Sequence, residues 1–247
     1  MSVDRPDDDD LRFPSADAHE VPAPDEADRS GTNVPGERAS QLAAHADLRA
    51  KADAAYRAQA IDVGCNRVRE TEEAVVTPAM RRIETQDPNR SLVGLEFRLK
   101  GRERLSEKVA FDMIKKGITP DEAFAGVKDA IRYTFQYRED AYTSGVYSDC
   151  NRLEAEGFEL VERRNSWAKE EYKGINSRWR SPESGQLFEV QFHTQASFEA
   201  KQQTHWAYER LRSGIPAEEQ KRLDQFQRDV AAGVPIPPSA PDIPDYP

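Results

Sequence analysis

Three short segments of this chain each split cleanly into an apolar and a polar side, and that split restricts the possible folds more than any other feature. Side chains of an extended strand alternate between two faces. In residues 92–100, Leu95, Phe97 and Leu99 fall on one face and Glu96, Arg98 and Lys100 on the other. In residues 186–193, Phe188, Val190 and Phe192 oppose Glu189, Gln191 and His193. In residues 175–180, Ile175 and Trp179 oppose Asn176, Arg178 and Arg180. Such segments suit a sheet packed on one side, and an ordinary sheet with one solvated face would satisfy the pattern. The polar sides, however, carry Arg, Lys, Asn, Gln, His and carboxylate, groups that grip phosphates, bases and a hard metal ion. Arg104 and Lys108, four apart on a helix expected over residues 102–116, continue the basic run. With Arg98, Lys100 and Arg102 they predict a cationic wall in a chain of net charge −10.

The rest of the chain frames these segments. Its 247 residues, 37% hydrophobic and 32% charged, suit one folded domain with flexible ends. Residues 1–37 hold the run Asp7 to Asp10 with several Pro and Gly, and read as a disordered acidic tail. Residues 38–90 are rich in Ala, Arg and Glu at helical spacing and form N-terminal helices. Residues 91–232 are the mixed domain, with further strands at 130–137 and 158–163 and helices at 141–156, 197–212 and 216–230. Thr119, Pro120 and Glu122 open another helix with cap, first-turn proline and reciprocal carboxylate. Residues 233–247 are proline-rich and read as an extended tail. The expected fold is α+β, an α/β sandwich with a five-stranded mixed sheet flanked by helices. Cys65 and Cys150, the only cysteines, cannot build a disulfide framework, so reduced thiols in a cytoplasmic setting are expected. The acidic start is unlike a Sec signal, with delivery by another route as the alternative. No apolar run is long enough to span a membrane, and no membrane partner is expected. The acidic balance speaks against nucleic-acid binding over the whole surface.

Five short motifs, in order, resemble the synthetase domain of the RelA/SpoT alarmone synthetases. Arg98-Leu-Lys100 with the later Lys108 is similar to the family's ATP-binding pattern, and Asp129-Ala-Ile-Arg132 to its Asp-containing strand. Lys169-Glu-Glu-Tyr172-Lys-Gly-Ile-Asn176 resembles the loop whose Tyr stacks on the acceptor base. Glu189-Val-Gln191-Phe-His193-Thr194 looks like its Glu-Ile-Gln-Ile-Arg-Thr strand, and His205-Trp-Ala-Tyr208 like its His-Trp-x-Tyr helix. The resemblance covers residues 92–212 and implies a nucleotidyltransferase-like synthetase fold. This chain departs from the family with Arg104 for Ser, Asn176 for His and His193 for Arg.

The resemblance implies transfer of pyrophosphate from ATP to the 3′-hydroxyl of an acceptor nucleotide, giving (p)ppGpp- or (p)ppApp-type products. Arg98, Lys100 and Lys108 would hold the ATP phosphates, assisted by Arg104 and Arg132. Asp129 and Glu189 would be the catalytic carboxylates and hold Mg²⁺, with Glu189 accepting the hydroxyl proton. Tyr172 would stack on the acceptor base, and Lys169, Asn176, Gln191 and His193 would bind its sugar and phosphates. The chain's four histidines include no adjacent His-Asp pair of the kind the family's hydrolase domain needs. Synthesis without matching hydrolysis resembles the toxin-type small synthetases and implies an antitoxin or immunity protein as partner. Two alternatives stand beside this reading: pyrophosphorylation of tRNA 3′ ends, and a nucleotide-binding or interaction module without catalysis.

Overall fold

The computed structural model describes residues 35–247, with side chains from residue 38, so the acidic tail expected over residues 1–37 lies outside the described residues apart from the backbone of its last three. Residues up to Ala50 form one unit and Lys51–Pro247 a second. The described part of the first is the opening of helix α1 (Pro35–Thr71), whose alanine-rich sequence suits a helix. In the second unit α1 ends in a single π-helical turn, Glu72–Val76, and the chain continues as α2 (Thr77–Glu84). Ala79, Met80 and Ile83 of α2 are buried in the same apolar cluster as the sheet. The last of the N-terminal helices expected over residues 38–90 thus completes the fold of the strands, because the apolar side of α2 is part of one continuous core.

Strand β1 (Arg90–Val93) is shorter than the strand expected over residues 92–100. Gly94, at φ +65°, turns the backbone out of the extended region, and Leu95–Phe97 form a 3₁₀ turn. Phe97 is 68% exposed, so Leu95, Phe97 and Leu99 do not share a strand face. Helix α3 (Arg102–Lys116) stops at Gly117 in the left-handed conformation. Helix α4 (Pro120–Gly126) starts with the reciprocal Thr119–Glu122 cap that its sequence predicts. Then follow β2 (Arg132–Tyr137), α5 (Tyr142–Ala155), β3 (Glu159–Asn165), β4 (Ile175–Arg180), β5 (Leu187–Thr194), α6 (Gln195–Leu211) and α7 (Ala217–Ala232).

The five strands form one sheet in the order β1-β2-β5-β4-β3, with β2 and β5 parallel and every other pair antiparallel. The mixed α+β sheet expected from the sequence is what the chain forms. Register places Tyr133, Phe135, Val190, Phe192, Ile175 and Trp179 on one face. That face packs on α5, where Tyr142 meets Tyr137 edge-on at 5.6 Å and donates to the Phe192 carbonyl at 2.9 Å. Beneath it Arg90 and Asp149 form a fully buried ion pair, with Nη2 2.6 Å from Oδ1, and the Tyr137 hydroxyl donates to Asp149 at 2.6 Å. Arg152 also meets Asp149 at 2.6 Å, so it is the removal of Asp149 that would leave a buried charge, that of Arg90, without a counterion, at a cost of about 3–5 kcal/mol.

Residues 233–247 are not a free extended tail. Val234, Ala240 and Ile243 are buried. Arg163 and Tyr246 exchange backbone hydrogen bonds of 3.1 and 2.9 Å, and the Asn165 amide donates to the carbonyls of Ala240 and Ile243 at 2.8 Å each. The segment covers the outer edge of β3, whose peptide groups would otherwise lack partners. Its prolines fit because an edge covering can dispense with some N–H donors.

Candidate active site

The second face of the sheet is polar. Arg132, Glu189, Arg178 and Glu162 stand side by side across β2, β5, β4 and β3, with Thr134, Gln191, Asn176 and Arg164 in the adjoining row. The alternation read from residues 175–180 and 186–193 thus places its polar groups correctly. This face is not simply solvated, because α6 lies over it: Gln191 and His193 are buried.

Backbone pairing brings the motif at residues 98–100 to this face. The Lys100 amide donates to the Ala130 carbonyl at 2.9 Å and the Arg132 amide to the Arg98 carbonyl at 2.7 Å. Lys100 Nζ then lies 2.9 Å from Asp129 Oδ2. Arg132 reaches both carboxylates, with Nη2 3.0 Å from Asp129 Oδ2 and Nε 3.1 Å from Glu189 Oε1. One guanidinium therefore bridges the two candidate catalytic carboxylates. In sequence Asp129 falls on the apolar parity of its strand. The strand begins only at Arg132, so Asp129 is free of the pleat and turns to the polar side. Burial pushes the Asp129 carboxyl up, but Lys100 and Arg132 outweigh it and hold it below the usual carboxylate range.

Arg98 is tied elsewhere. Its Nε donates to Glu72 Oε1 at 2.8 Å, an oxygen that also accepts from the Tyr133 hydroxyl at 2.8 Å and from Thr77. Burial pushes the Glu72 carboxyl up, and these donors reverse the shift to a net lowering. Glu72 starts the π-helical turn, a distortion that occurs often at functional positions. Sequence reasoning missed it because one glutamate in an Ala-, Arg- and Glu-rich helix looks like a solvated side chain.

The free cationic wall expected from the sequence does not form. Arg98 is answered by Glu72, Lys100 by Asp129, Arg102 by Asp62, and Lys108 by Asp112 at 2.6 Å. Arg104 and Lys108 are exposed on α3, and neither contacts Asp129, Arg132 or Glu189.

The expected acceptor residues divide. Tyr172, Asn176 and His193 meet: the Tyr172 hydroxyl lies 2.9 Å from Asn176 Oδ1 and 2.8 Å from His193 Nε2. His193 Nδ1 lies 2.8 Å from Ser197 Oγ. One direction satisfies the chain, with Ser197 donating to Nδ1, Nε2–H to the Tyr172 oxygen, and Tyr172 to Asn176. His193 is 0% exposed and both its ring nitrogens are taken, so it positions Tyr172 and is not itself a substrate ligand as expected. The hydroxyl of Tyr172 is anchored in this chain, which fixes the ring that the resemblance would make a stacking platform. Gln191 donates from Nε2 to Glu189 and accepts at Oε1 from Lys201. Lys169 is exposed and contacts none of these groups. Lys201 and Ser197 also escaped the sequence reading. The available signal was their spacing of four with Thr204 three further on, which puts polar groups on the side of α6 facing the sheet.

Among the described residues no group of three or more His, Cys, Asp and Glu side chains could hold a metal ion unaided. Mg²⁺ commonly takes one or two protein carboxylates and completes its shell with water and substrate phosphates. Asp129 and Glu189 fit that partial donor set, with Arg132 now lying between them.

No family model and no curated protein matches the chain. Several solved structures are similar to it. Small alarmone synthetase 1 from Bacillus subtilis, bound to its product pppGpp, is 19% identical at a TM-score of 0.47, covering 67% of this chain and 88% of that one. A GTP pyrophosphokinase family protein from Streptococcus pneumoniae is 17% identical at a TM-score of 0.47, covering 67% and 84%. Small alarmone synthetase 2 from Bacillus subtilis is 15% identical at a TM-score of 0.47, covering 68% and 89%.

Proposed function

We propose that this chain is a nucleotide pyrophosphokinase, which transfers the pyrophosphoryl group of ATP directly to the 3′-hydroxyl of an acceptor nucleotide. The observation that carries this reading is the cluster in which Arg132 bridges Asp129 and Glu189 while Lys100 also meets Asp129, at one polar sheet face. Two carboxylates bridged by a cation serve no binding purpose that one would not. Beside a phosphate chain they suit charge neutralisation and proton removal. Lys100 and Arg132 face the anionic donor. Arg132 can exchange its carboxylate partners for phosphate oxygens, which its planar fork grips in pairs. Glu189 Oε1 already accepts from Arg132 and Gln191, which leaves Oε2 for the proton of the attacking hydroxyl. Tyr172, fixed by Asn176 and His193, presents its ring to the acceptor base. Asp129 and Glu189 would hold Mg²⁺, which when bound offsets charge that develops on the transferred group.

The test is chromatography of products from labelled ATP, Mg²⁺ and a separate acceptor in each reaction: GDP, GTP, ADP, AMP or tRNA. A more highly phosphorylated nucleotide is expected with the wild type. Glu189→Gln should lose about 10²–10⁴-fold in rate while still binding ATP. Equal rates in both proteins, or transfer to tRNA alone, would overturn the assignment. Because each turnover consumes ATP, expression of the active chain is expected to slow cell growth and expression of Glu189→Gln is not.

A further inference from the structure

Lys201 differs from the paired cations of the site. Arg98, Lys100, Arg102 and Lys108 each meet a carboxylate. Lys201 is half-buried between α6 and the polar sheet face, and no carboxylate of the described residues forms an ion pair with it. Its ammonium donates to the neutral Gln191 oxygen and lies 5.4 Å from the Phe198 ring centroid. An ammonium only donates, so it obliges Gln191 to present its oxygen to Lys201 and its NH₂ to Glu189. The amide thus separates the cation from the nearest negative charge. The positive field of Arg132 reaches Lys201 from the same face, and burial together with that field pushes the ammonium down to about 8. A cation taken out of water without a countercharge is costly, and such groups are paired or bind an anion.

We propose that Lys201 is a binding residue for a phosphate of the acceptor nucleotide, which supplies the countercharge that the protein withholds. This rests on the pyrophosphokinase reading for the identity of the acceptor. The geometry suits it: Lys201 stands one Gln191 amide away from Glu189, and Ser197, one helical turn earlier on α6, begins the chain that anchors Tyr172. A base on Tyr172 and an anion on Lys201 would hold a nucleotide at both ends, with its sugar towards Glu189.

The experiment compares the full-length wild type with Lys201→Met, Lys201→Gln and Lys201→Arg. Lys201→Gln keeps a hydrogen-bond donor for Gln191 and drops the charge. Initial rates are measured at saturating ATP against nucleoside mono-, di- and triphosphate acceptors. Calorimetric titration of the same nucleotides without ATP gives their Kd. Both Lys201→Met and Lys201→Gln are expected to raise KM and Kd for the di- and triphosphate at least about tenfold. They should narrow the preference over the monophosphate, leave the KM for ATP within about twofold, and be largely rescued in Lys201→Arg. Unchanged acceptor constants would overturn the proposal. So would an equal loss for every nucleotide that Lys201→Gln repairs, because that marks a purely structural role through Gln191. Diphosphate binding that depends on Lys201 in a wild type without transfer activity would refute the pyrophosphokinase reading and keep the anion site. Active transfer that is indifferent to all three substitutions would do the reverse. A folded wild type that neither binds nor transfers would overturn both.

Discussion

His193 shows how little a residue type reveals about its role. Its place in the strand put it correctly on the polar face, and an exposed imidazole there would suit a substrate. Helix α6 and the loop before β4 bury it, and burial first, then the charge of Lys201, pushes its pKa well below the ordinary 6.5. The sign follows from linkage. In the unfolded chain the imidazole takes up a proton as pH falls below 6.5, and in the folded chain it stays neutral. His193 therefore adds stability above that pH and loses it progressively below. Calorimetric melting between pH 7 and pH 5 should show a falling Tm in the wild type and a shallower fall in His193→Gln. Parallel slopes would show that His193 is not held neutral. Glu189 and Gln191, by contrast, were legible from parity alone, because both lie inside a regular strand where period two decides the face.

At the scale of elements, the irregular connections were hidden and the regular ones were not. The strands at residues 175–180 and 187–194 and the cap of α4 follow from alternation and local side-chain chemistry. The segment after β1 does not, because Gly94 breaks a pattern that reads apolar–polar straight through it. Gly174 has a comparable role before β4. At φ +146° it occupies backbone space that side chains rarely enter, and an added Cβ would lie 2.7 Å from His193 Cε1. Gly174→Ala is expected to destabilise the fold by about 1–3 kcal/mol. By shifting His193 it should also loosen Tyr172 and raise the acceptor KM more than the ATP KM. Urea unfolding and paired kinetics check both parts. A loss of stability with equal changes in the two constants would separate Gly174 from the acceptor side.

At the scale of the molecule, residues 51–247 form one compact unit in which the proline-rich end is a structural strap. Removing residues 234–247 exposes the edge of β3 and strips away Val234 and Ile243, each worth about 1.5–3 kcal/mol when fully buried. The shortened chain should melt at a markedly lower temperature and aggregate through the bared edge, with scattering at the transition as the readout. An unchanged Tm would return the segment to the status of a tail. The same reasoning explains why composition misled. Proline-rich, weakly apolar stretches resemble disordered ones, and only the presence of an unpaired strand edge gives their few apolar side chains and carbonyls something to satisfy.

Periodicity by itself determined that the chain builds a sheet with one apolar and one polar, charged face, because period-two alternation is a local consequence of backbone geometry. It also determined which residues of β4 and β5 stand on the polar face. Tertiary structure alone decided which charges meet. Arg132 between Asp129 and Glu189, Glu72 on Arg98, and Lys201 behind Gln191 join residues 3 to 57 positions apart. Pairing at such distances depends on sheet order and helix placement, and burial then sets the cost of every charge left without a partner.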